Sequence, residues 1–279
     1  MSLRPCGLIV AVLQSMSRHR KFPVPGHFLA RLRGAAAKLG TQVLDVLFPR
    51  TCMLCGEAVP GDEALCSACS GRFEKITGPV CTRCGAVFNS PHGGDHMCGD
   101  CIAGRVHYDC ARSAVVYAGE LRRAVQQFKF NRRSMFAEPF AELLSDRCGP
   151  IGPHRGYAAL VPVPLHPQRL CDRGYNQSLL LALRLGRKWN VPVERDYLRR
   201  TAWSVPQASL RRSQRRRAVR GVFTCSSSCY AGTRLLLIDD VFTSGATVDE
   251  CARTLKHYGA AAVDVLTVAR TLKDYPGCQ

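Results

Sequence analysis

Hydrophobic residues follow two different spacings along the second half of the chain. Short continuous apolar runs predict buried β-strands, and they lie at 113–117, 158–163, 235–238 and 263–268. Apolar residues that recur every three to four positions predict helices, and they lie at 121–128, 136–144, 178–189 and from about 246 onward. Strands that alternate with helices form a parallel sheet. We therefore predict an α/β domain over residues 106–275.

The chain before residue 106 lacks a long periodic run. Residues 46–105 are rich in cysteine, glycine and short polar turns, so they bury too little apolar surface to fold unaided. Residues 1–45 form an extension, and the apolar spacing from Phe28 to Phe48 predicts an amphipathic helix. The apolar run Cys6–Leu13 is too short to span a bilayer and precedes its basic residues, the reverse of an export signal. We expect no membrane span and a cytoplasmic location.

The segment 46–105 carries four Cys-x-x-Cys pairs, whose eight thiolates suffice for two tetrahedral zinc sites. Glycine follows two of the pairs directly, at Gly56 and Gly85, and supplies the tight turn that a metal knuckle needs. One predicted structural zinc ion has the ligands Cys52, Cys55, Cys66 and Cys69, and the other has Cys81, Cys84, Cys98 and Cys101. Complete sets of four thiolates leave no open position, which favours a folding or docking role over metal catalysis.

The same cysteines admit other arrangements. The sequence does not fix which pairs share a metal, so a crossed arrangement stays open. His92 and His96 lie near the second set and could replace a cysteine ligand. A disulfide framework is the third alternative, but it requires an oxidising compartment.

Two adjacent carboxylates, Asp239 and Asp240, follow the apolar run 235–238. A loop rich in hydroxyls and glycine comes next, and then a helix begins; the loop consists of Thr243, Ser244, Gly245, Ala246 and Thr247. Backbone N–H groups at a helix start and neighbouring hydroxyls bind phosphate, and Gly245 allows a close backbone approach. The two acids repel phosphate, but they accept hydrogen bonds from ribose hydroxyls and suit a nearby Mg²⁺. The pattern predicts a site for a ribose 5-phosphate.

This run resembles the phosphoribosyl-pyrophosphate (PRPP) loop of type I phosphoribosyltransferases. The Val-Pro-Val-Pro sequence at 161–164, followed by Arg169 and by Arg-Gly-Tyr-Asn-Gln at 173–177, resembles their pyrophosphate loop. The arginine-rich stretch 199–223 resembles the mobile loop that closes over their ligand. In its order of motifs, from cysteine pairs to PRPP loop, the chain resembles the ComF/GntX family.

The resemblance implies a type I phosphoribosyltransferase-like sheet flanked by helices, preceded by a double zinc ribbon. It implies that PRPP binds with Mg²⁺ at Asp239, Asp240 and the 243–247 loop, and that pyrophosphate leaves against Arg173. It also implies a role in natural competence, in which the partners are single-stranded DNA or a DNA-processing protein such as the competence helicase.

Charge supports a polyanionic ligand. Lysine and arginine number 39 against 21 acids, a formal net charge of +18, and two zinc-thiolate sets would lower it to about +14. The stretch 199–220 is rich in arginine and has no acid; we assign to nucleic acid Arg211, Arg212, Arg215 and Arg216. Phe128, Lys129 and Phe130 interleave rings with a cation, a pattern that suits a single strand. A solvated basic surface, or arginines that serve only the diphosphate of PRPP, would explain the same charge.

The sequence is compatible with three hypotheses. The chain is an active transferase that uses PRPP and a nitrogen acceptor, a nucleic-acid-binding adaptor built on that fold, or a regulator that senses PRPP or a nucleotide. We favour a competence-type DNA-handling protein that keeps a phosphoribose ligand. Paired acids would repel DNA phosphates unless a ribose or a metal occupies their site.

Overall fold

The computed structural model of the chain describes residues 50–60, 63–88, 93–130, 133–201 and 219–272. The amphipathic helix expected before residue 49 lies outside these residues. So do His92 and the four arginines assigned to nucleic acid, Arg211, Arg212, Arg215 and Arg216.

A four-stranded parallel sheet forms the centre of the α/β part, with the strand order β1-β6-β5-β2. Strands β3 and β4 pair separately and antiparallel. The strands are β1 (Cys110–Val116), β2 (Ala159–Pro162), β3 (Leu198–Arg200), β4 (Phe223–Cys225), β5 (Arg234–Phe242) and β6 (Ala262–Arg270). The four apolar runs that predict strands therefore correspond to the four strands of the parallel sheet.

Helices connect these strands and cover the sheet. They are α1 (Ser67–Gly71), α2 (Gly99–Ile102), α3 (Gly119–Phe130), α4 (Ala137–Asp146), α5 (Pro167–Arg173), α6 (Gln177–Trp189) and α7 (Ala246–His257), with 3₁₀ turns at Ser134–Phe136 and Pro153–Arg155. Each predicted helix of the α/β part is present. The fold class is confirmed: a parallel sheet flanked by helices follows a cysteine-rich module.

The two faces of the sheet bury different parts of the chain. Alternate residues of a strand point to opposite faces, so Leu236 and Leu237 of β5 belong to separate cores. Leu236 packs with side chains of α3, α4 and α6, and this core includes Cys52 and Cys69. Leu237 packs with side chains of α7, β3 and β4, and that core includes the second cysteine set. The two cysteine sets therefore lie against opposite faces of one sheet.

Both edges of the parallel sheet are paired with neighbouring segments. At the β1 edge, the Val116 N–H donates to the Glu74 carbonyl over 2.9 Å, and Lys75 bridges antiparallel to Val115. At the β2 edge, the Leu160 N–H donates to the Pro192 carbonyl over 2.8 Å. Glu74 and Lys75 come shortly after the first cysteine set, so the cysteine-rich module itself covers the β1 edge.

The second cysteine knuckle contacts β1 and β6 through its backbone. The Ala111 N–H donates to the Arg83 carbonyl over 2.7 Å, and Arg270 Nη1 donates to the Cys84 carbonyl over 2.6 Å. Gly85 lies so close to the sheet that a Cβ atom there would be 2.8 Å from the Ala111 carbonyl oxygen. Glycine is therefore required here by packing as well as by its positive φ of 68°.

Gly56 and Gly85 occupy equivalent positions after their cysteine pairs, so they form a matched pair of test sites. Gly56 has a φ of 81° and no heavy atom within 4 Å of an added Cβ, so Gly56→Ala should cost about 1 kcal/mol of backbone strain. Gly85→Ala adds an overlap with a backbone oxygen and should cost about 1–3 kcal/mol more. Denaturant unfolding of the zinc-loaded variants measures both, and equal costs would contradict the close docking of the second knuckle.

Candidate functional site

Strand β5 carries Asp239 and Asp240 into a cavity of about 560 Å³. The apolar run predicts a strand that ends at Ile238, but β5 continues to Phe242 because β6 supplies pairing partners as far as Arg270. The two acids therefore lie within the last four residues of the strand and not after it. Strand ends of open parallel sheets are where ligands bind in α/β proteins.

The cavity brings together residues from segments that are distant in sequence. It is lined by Asp239, Asp240, Thr243, Thr247, Arg173, Arg169, Arg200, Lys129, Phe130, Tyr117, Asp172, Gln177, Ser178, Val163, Pro164, Leu165 and Val241. Both acids, Arg173 and both loop threonines thus lie where the sequence predicts a common site. Ser244, Gly245 and Ala246 are not among the described residues that line it.

The two carboxylates have different partners. Asp239 Oδ1 accepts hydrogen bonds from Ser178 Oγ and from the Asp240 N–H, each over 2.9 Å. Asp240 Oδ1 pairs with Lys129 Nζ at 2.9 Å. Burial and the adjacent charge of Asp240 raise the pKa of Asp239 to about 7, although Lys129 and the hydrogen bond from Ser178 act in the opposite direction. Holding both negative charges costs free energy, which a bound cation or ribose hydroxyls would offset.

The loop after β5 is a tight strand-to-helix turn. Gly245 has a φ of 77°, and a Cβ atom there would lie 2.6 Å from Phe242 Cζ. Ser244 Oγ accepts a hydrogen bond from the Ala246 N–H over 3.4 Å, and α7 begins at Ala246, as the sequence predicts. The start of α7 therefore stands next to the threonines that line the cavity.

The segment after β2 leaves the sheet and enters helices α5 and α6. His166 caps α5 by accepting the Gln168 N–H over 3.2 Å, and Gly174 ends α5 with a φ of 80°. Asn176 caps α6 and donates from Nδ2 to the Val163 carbonyl over 3.1 Å. This geometry places α5, which carries Arg169 and Arg173, beside the acids.

Residues 173–177 also hold the end of α3 in the cavity. Tyr175 Oη donates to the Phe128 carbonyl over 2.6 Å, and Gln177 Nε2 reaches the Phe128 and Lys129 carbonyls at 3.5 Å. Arg173 Nη1 donates to Gln177 Oε1 over 3.0 Å. The motif that resembles a pyrophosphate loop therefore has a structural role that local sequence patterns do not show.

The expectation that the rings at 128–130 stack on a single nucleic-acid strand is wrong for Phe128 and stays a prediction for Phe130. Phe128 is completely buried in the core, and Lys129 pairs with Asp240. Phe130 is 68% exposed, and the Arg173 guanidinium lies 5.2 Å from its ring centroid. Residues two apart in a helix point to different sides of it, so Phe128 and Phe130 of α3 do not share a face.

Sequence patterns did not identify Lys129 and Ser178 as partners of the acidic pair. Ser178 directly follows the 173–177 motif, so its position was a usable signal. Lys129 gave no local signal beyond a cation at a helix end, because its contact with Asp240 joins two remote elements.

The eight cysteines form two separate sets of four. Within each set the sulfur atoms lie within 4.8 Å of one another, and the sets have the membership that the spacing suggests, not the crossed one. His96 belongs to neither set; its Nδ1 lies 3.0 Å from the Gly94 carbonyl oxygen, and its ring stacks on Phe88. Every cysteine within the described ranges is free of a disulfide.

The surroundings of the first cysteine of each set stabilise its thiolate form. Burial raises the pKa of Cys52 and of Cys81, but backbone hydrogen bonds outweigh it and lower both values to about 6. The Sγ atom of Cys81, for example, accepts the N–H groups of Cys84 and Cys98 over 3.4 and 3.3 Å. Four converging sulfurs with such N–H donors fit a tetrahedral structural zinc ion in each set.

No helix among the described residues has the length and apolar character to cross a bilayer.

Comparisons with known proteins identify similar domains and structures. A double zinc ribbon domain matches residues 43–102. A purine phosphoribosyltransferase from Pyrococcus horikoshii Ot3 is a structural neighbour, with 11% identity, a TM-score of 0.31, and coverage of 50% of this chain and 90% of its own.

Curated relatives cover most of the chain. DNA utilization protein YhgH of Escherichia coli strain K12 is 32% identical over 80% of this chain and 98% of its own length. Competence protein ComFC of Bacillus subtilis strain 168 is 29% identical over 75% of this chain and 85% of its own. Competence protein F of Haemophilus influenzae is 28% identical over 74% of this chain and 90% of its own. The chain therefore belongs to the ComF family.

Proposed function

We propose that the chain binds PRPP together with Mg²⁺ and takes part in the handling of imported DNA. The observation that carries the first half is the pair Asp239 and Asp240 at the end of β5, in one cavity with loop threonines and three arginines. Lys129 compensates this buried pair of acids only in part, because the pKa of Asp239 stays raised, so the pair favours a bound sugar or cation.

Each part of the ligand has a chemical counterpart in the cavity. Asp239 and Asp240 would accept hydrogen bonds from the ribose hydroxyls and lie near Mg²⁺, for which carboxylate oxygens are suitable ligands. Thr243, Thr247 and the start of α7 would bind the 5-phosphate. The diphosphate would meet the arginines of the cavity, Arg169, Arg173 and Arg200, through charge-assisted hydrogen bonds. Mg²⁺ would supply charge neutralisation for the diphosphate.

The DNA half of the proposal is supported by relatives that are named for competence and for DNA utilization. A formal net charge of +18 favours binding to a polyanion. We propose Arg211, Arg212, Arg215 and Arg216 as contacts to a single strand, and a DNA-processing protein such as a helicase as a partner of the zinc module.

An active transferase is the second candidate, and the cluster of three arginines in the cavity favours it. A nitrogen acceptor would attack C1 of the ribose, forming a C–N bond while the C1–O bond to pyrophosphate breaks. The arginines, with Arg173 among them, would stabilise the charge on the leaving pyrophosphate. Release of pyrophosphate in the presence of candidate acceptors tests this reaction directly.

Calorimetric titration of the zinc-loaded protein with PRPP tests the ligand half. We expect saturable binding that requires Mg²⁺, because the acids and the diphosphate need a shared cation. Ribose 5-phosphate lacks the diphosphate and should bind more weakly. A short single strand, titrated separately, tests the DNA half.

Binding of single-stranded DNA without binding of PRPP would refute the ligand half. The chain would then be a DNA-binding adaptor that has inherited the loop without its ligand. PRPP binding without strand binding would refute the direct DNA contact.

A further inference from the structure

We propose that Lys129 is an exchangeable counter-ion of this site: it holds Asp240 in the free protein and transfers to the diphosphate when PRPP and the metal bind. The inference rests on the proposed function and adds to it a residue that makes metal binding depend on the diphosphate.

The ion pair is short and largely shielded from water. Lys129 Nζ lies 2.9 Å from Asp240 Oδ1, and the two side chains are 20% and 9% exposed. Both residues line the same cavity. At such low exposure the attraction is screened far less than in a surface pair, so Lys129 blocks one carboxylate of the acidic pair effectively.

The backbone under Lys129 is fixed, whereas its side chain has four flexible carbons. Tyr175 Oη binds the Phe128 carbonyl at 2.6 Å, and Gln177 reaches the Lys129 carbonyl. The ammonium can therefore turn within the cavity without movement of α3. A lysine ammonium is a compact charge with rotatable donors, which suits a change of partner from carboxylate to diphosphate better than a rigid guanidinium does.

The exchange has a consequence for the order of binding. A divalent cation alone must compete with Lys129 for Asp240, and it brings no new anion to receive the displaced ammonium. A cation that arrives with a diphosphate supplies that anion. The site should therefore discriminate against free metal and against ribose phosphates that lack a diphosphate.

Lys129→Gln tests the exchange, with Mn²⁺ as the metal probe and PRPP with Mg²⁺ as the ligand. We expect PRPP affinity to fall about 10–100-fold, because one charge-assisted contact is lost. We expect the affinity for Mn²⁺ alone, read by electron paramagnetic resonance, to rise about tenfold, because Asp240 is released. A purely structural lysine would not produce these opposite changes.

Lys256→Gln is the matched control, because Lys256 forms another 2.9 Å pair, with Asp109, outside the residues that line this cavity. This variant removes the same charge and should leave both affinities unchanged. If Lys129→Gln does not fold, as judged by thermal unfolding, Lys129→Met keeps the length of the stem and takes its place.

The outcomes separate this inference from the proposed function. Unchanged Mn²⁺ affinity in the Lys129 variant overturns the exchange, whether PRPP affinity falls or not. A wild-type protein that binds no PRPP refutes the proposed function and, with it, the transfer to a diphosphate. A wild-type protein that binds PRPP, together with opposite changes in the variant, supports both.

Discussion

Replacement of both Asp239 and Asp240 by asparagine should weaken PRPP binding by at least about 100-fold, because two charged acceptors each contribute about 1.5–3 kcal/mol. Asparagine keeps the shape of the side chain and an oxygen that can accept the Ser178 hydroxyl, so the fold should persist. Removal of two negative charges should leave single-strand binding intact or strengthen it. Calorimetry measures the first effect, and fluorescence anisotropy of a labelled oligonucleotide measures the second.

The double variant Glu138→Gln and Asp146→Asn is its control. These two carboxylates are exposed on α4, and their loss changes the formal net charge by the same amount. PRPP binding should survive in the control. Strand binding that rises more in the Asp239 and Asp240 variant than in the control would place the strand near the acids. If the site variant loses both PRPP and single-stranded DNA, the two ligands share one site. Undiminished PRPP binding would mean that Asp239 and Asp240 do not contribute to the PRPP site.

Chelation of zinc should proceed in two phases, the first rapid and the second accompanied by unfolding of the α/β domain. Cys55 of the first set is exposed, whereas in the second set Cys81, Cys84 and Cys101 are all buried. The second set is also anchored to the sheet, because the Cys84 carbonyl accepts a hydrogen bond from Arg270 Nη1 of β6. Structural zinc contributes about 10–16 kcal/mol in small zinc domains, so its loss exceeds the stability of an ordinary domain.

A chromogenic chelator reports released zinc, and far-ultraviolet circular dichroism reports secondary structure. Cys55→Ser should abolish the rapid phase but keep the sheet folded, whereas Cys84→Ser should prevent cooperative folding. Cys148→Ser alters a half-buried cysteine outside both sets and should change neither phase. Release of both ions in a single phase would contradict the difference in accessibility between the sets.

The parts of the molecule that sequence patterns predicted are those whose signals are local. The four cysteine pairs follow from spacing, although spacing left open which pairs share a set. The start of α7 at Ala246 follows from one continuous strand–loop–helix sequence. The extension of β5 past Ile238 was not predictable, because the partner residues of β6 decide where the ladder ends.

Contacts between remote elements account for the rest. The pairing of Lys129 with Asp240 depends on how α3 packs against the sheet, and Tyr175 and Gln177 fix that position through backbone carbonyls. The wrong expectation for Phe128 has the same origin, since burial is a property of the packed structure and not of an aromatic–cation pattern. The raised pKa of Asp239 likewise follows from burial and its neighbouring charge.

Because Glu74 and Lys75 pair with β1, the loss of zinc is expected to affect the tendency of the protein to aggregate. Strand β1 is an edge strand with the apolar residues Ala114, Val115 and Val116, and its exposed backbone groups would be a template for intermolecular pairing. The segment that covers this edge directly follows the first cysteine set, which holds the more accessible thiols. Zinc starvation would therefore uncover an aggregation-prone edge before it removes the sheet itself, so the accessible zinc ion protects the folded protein from self-association.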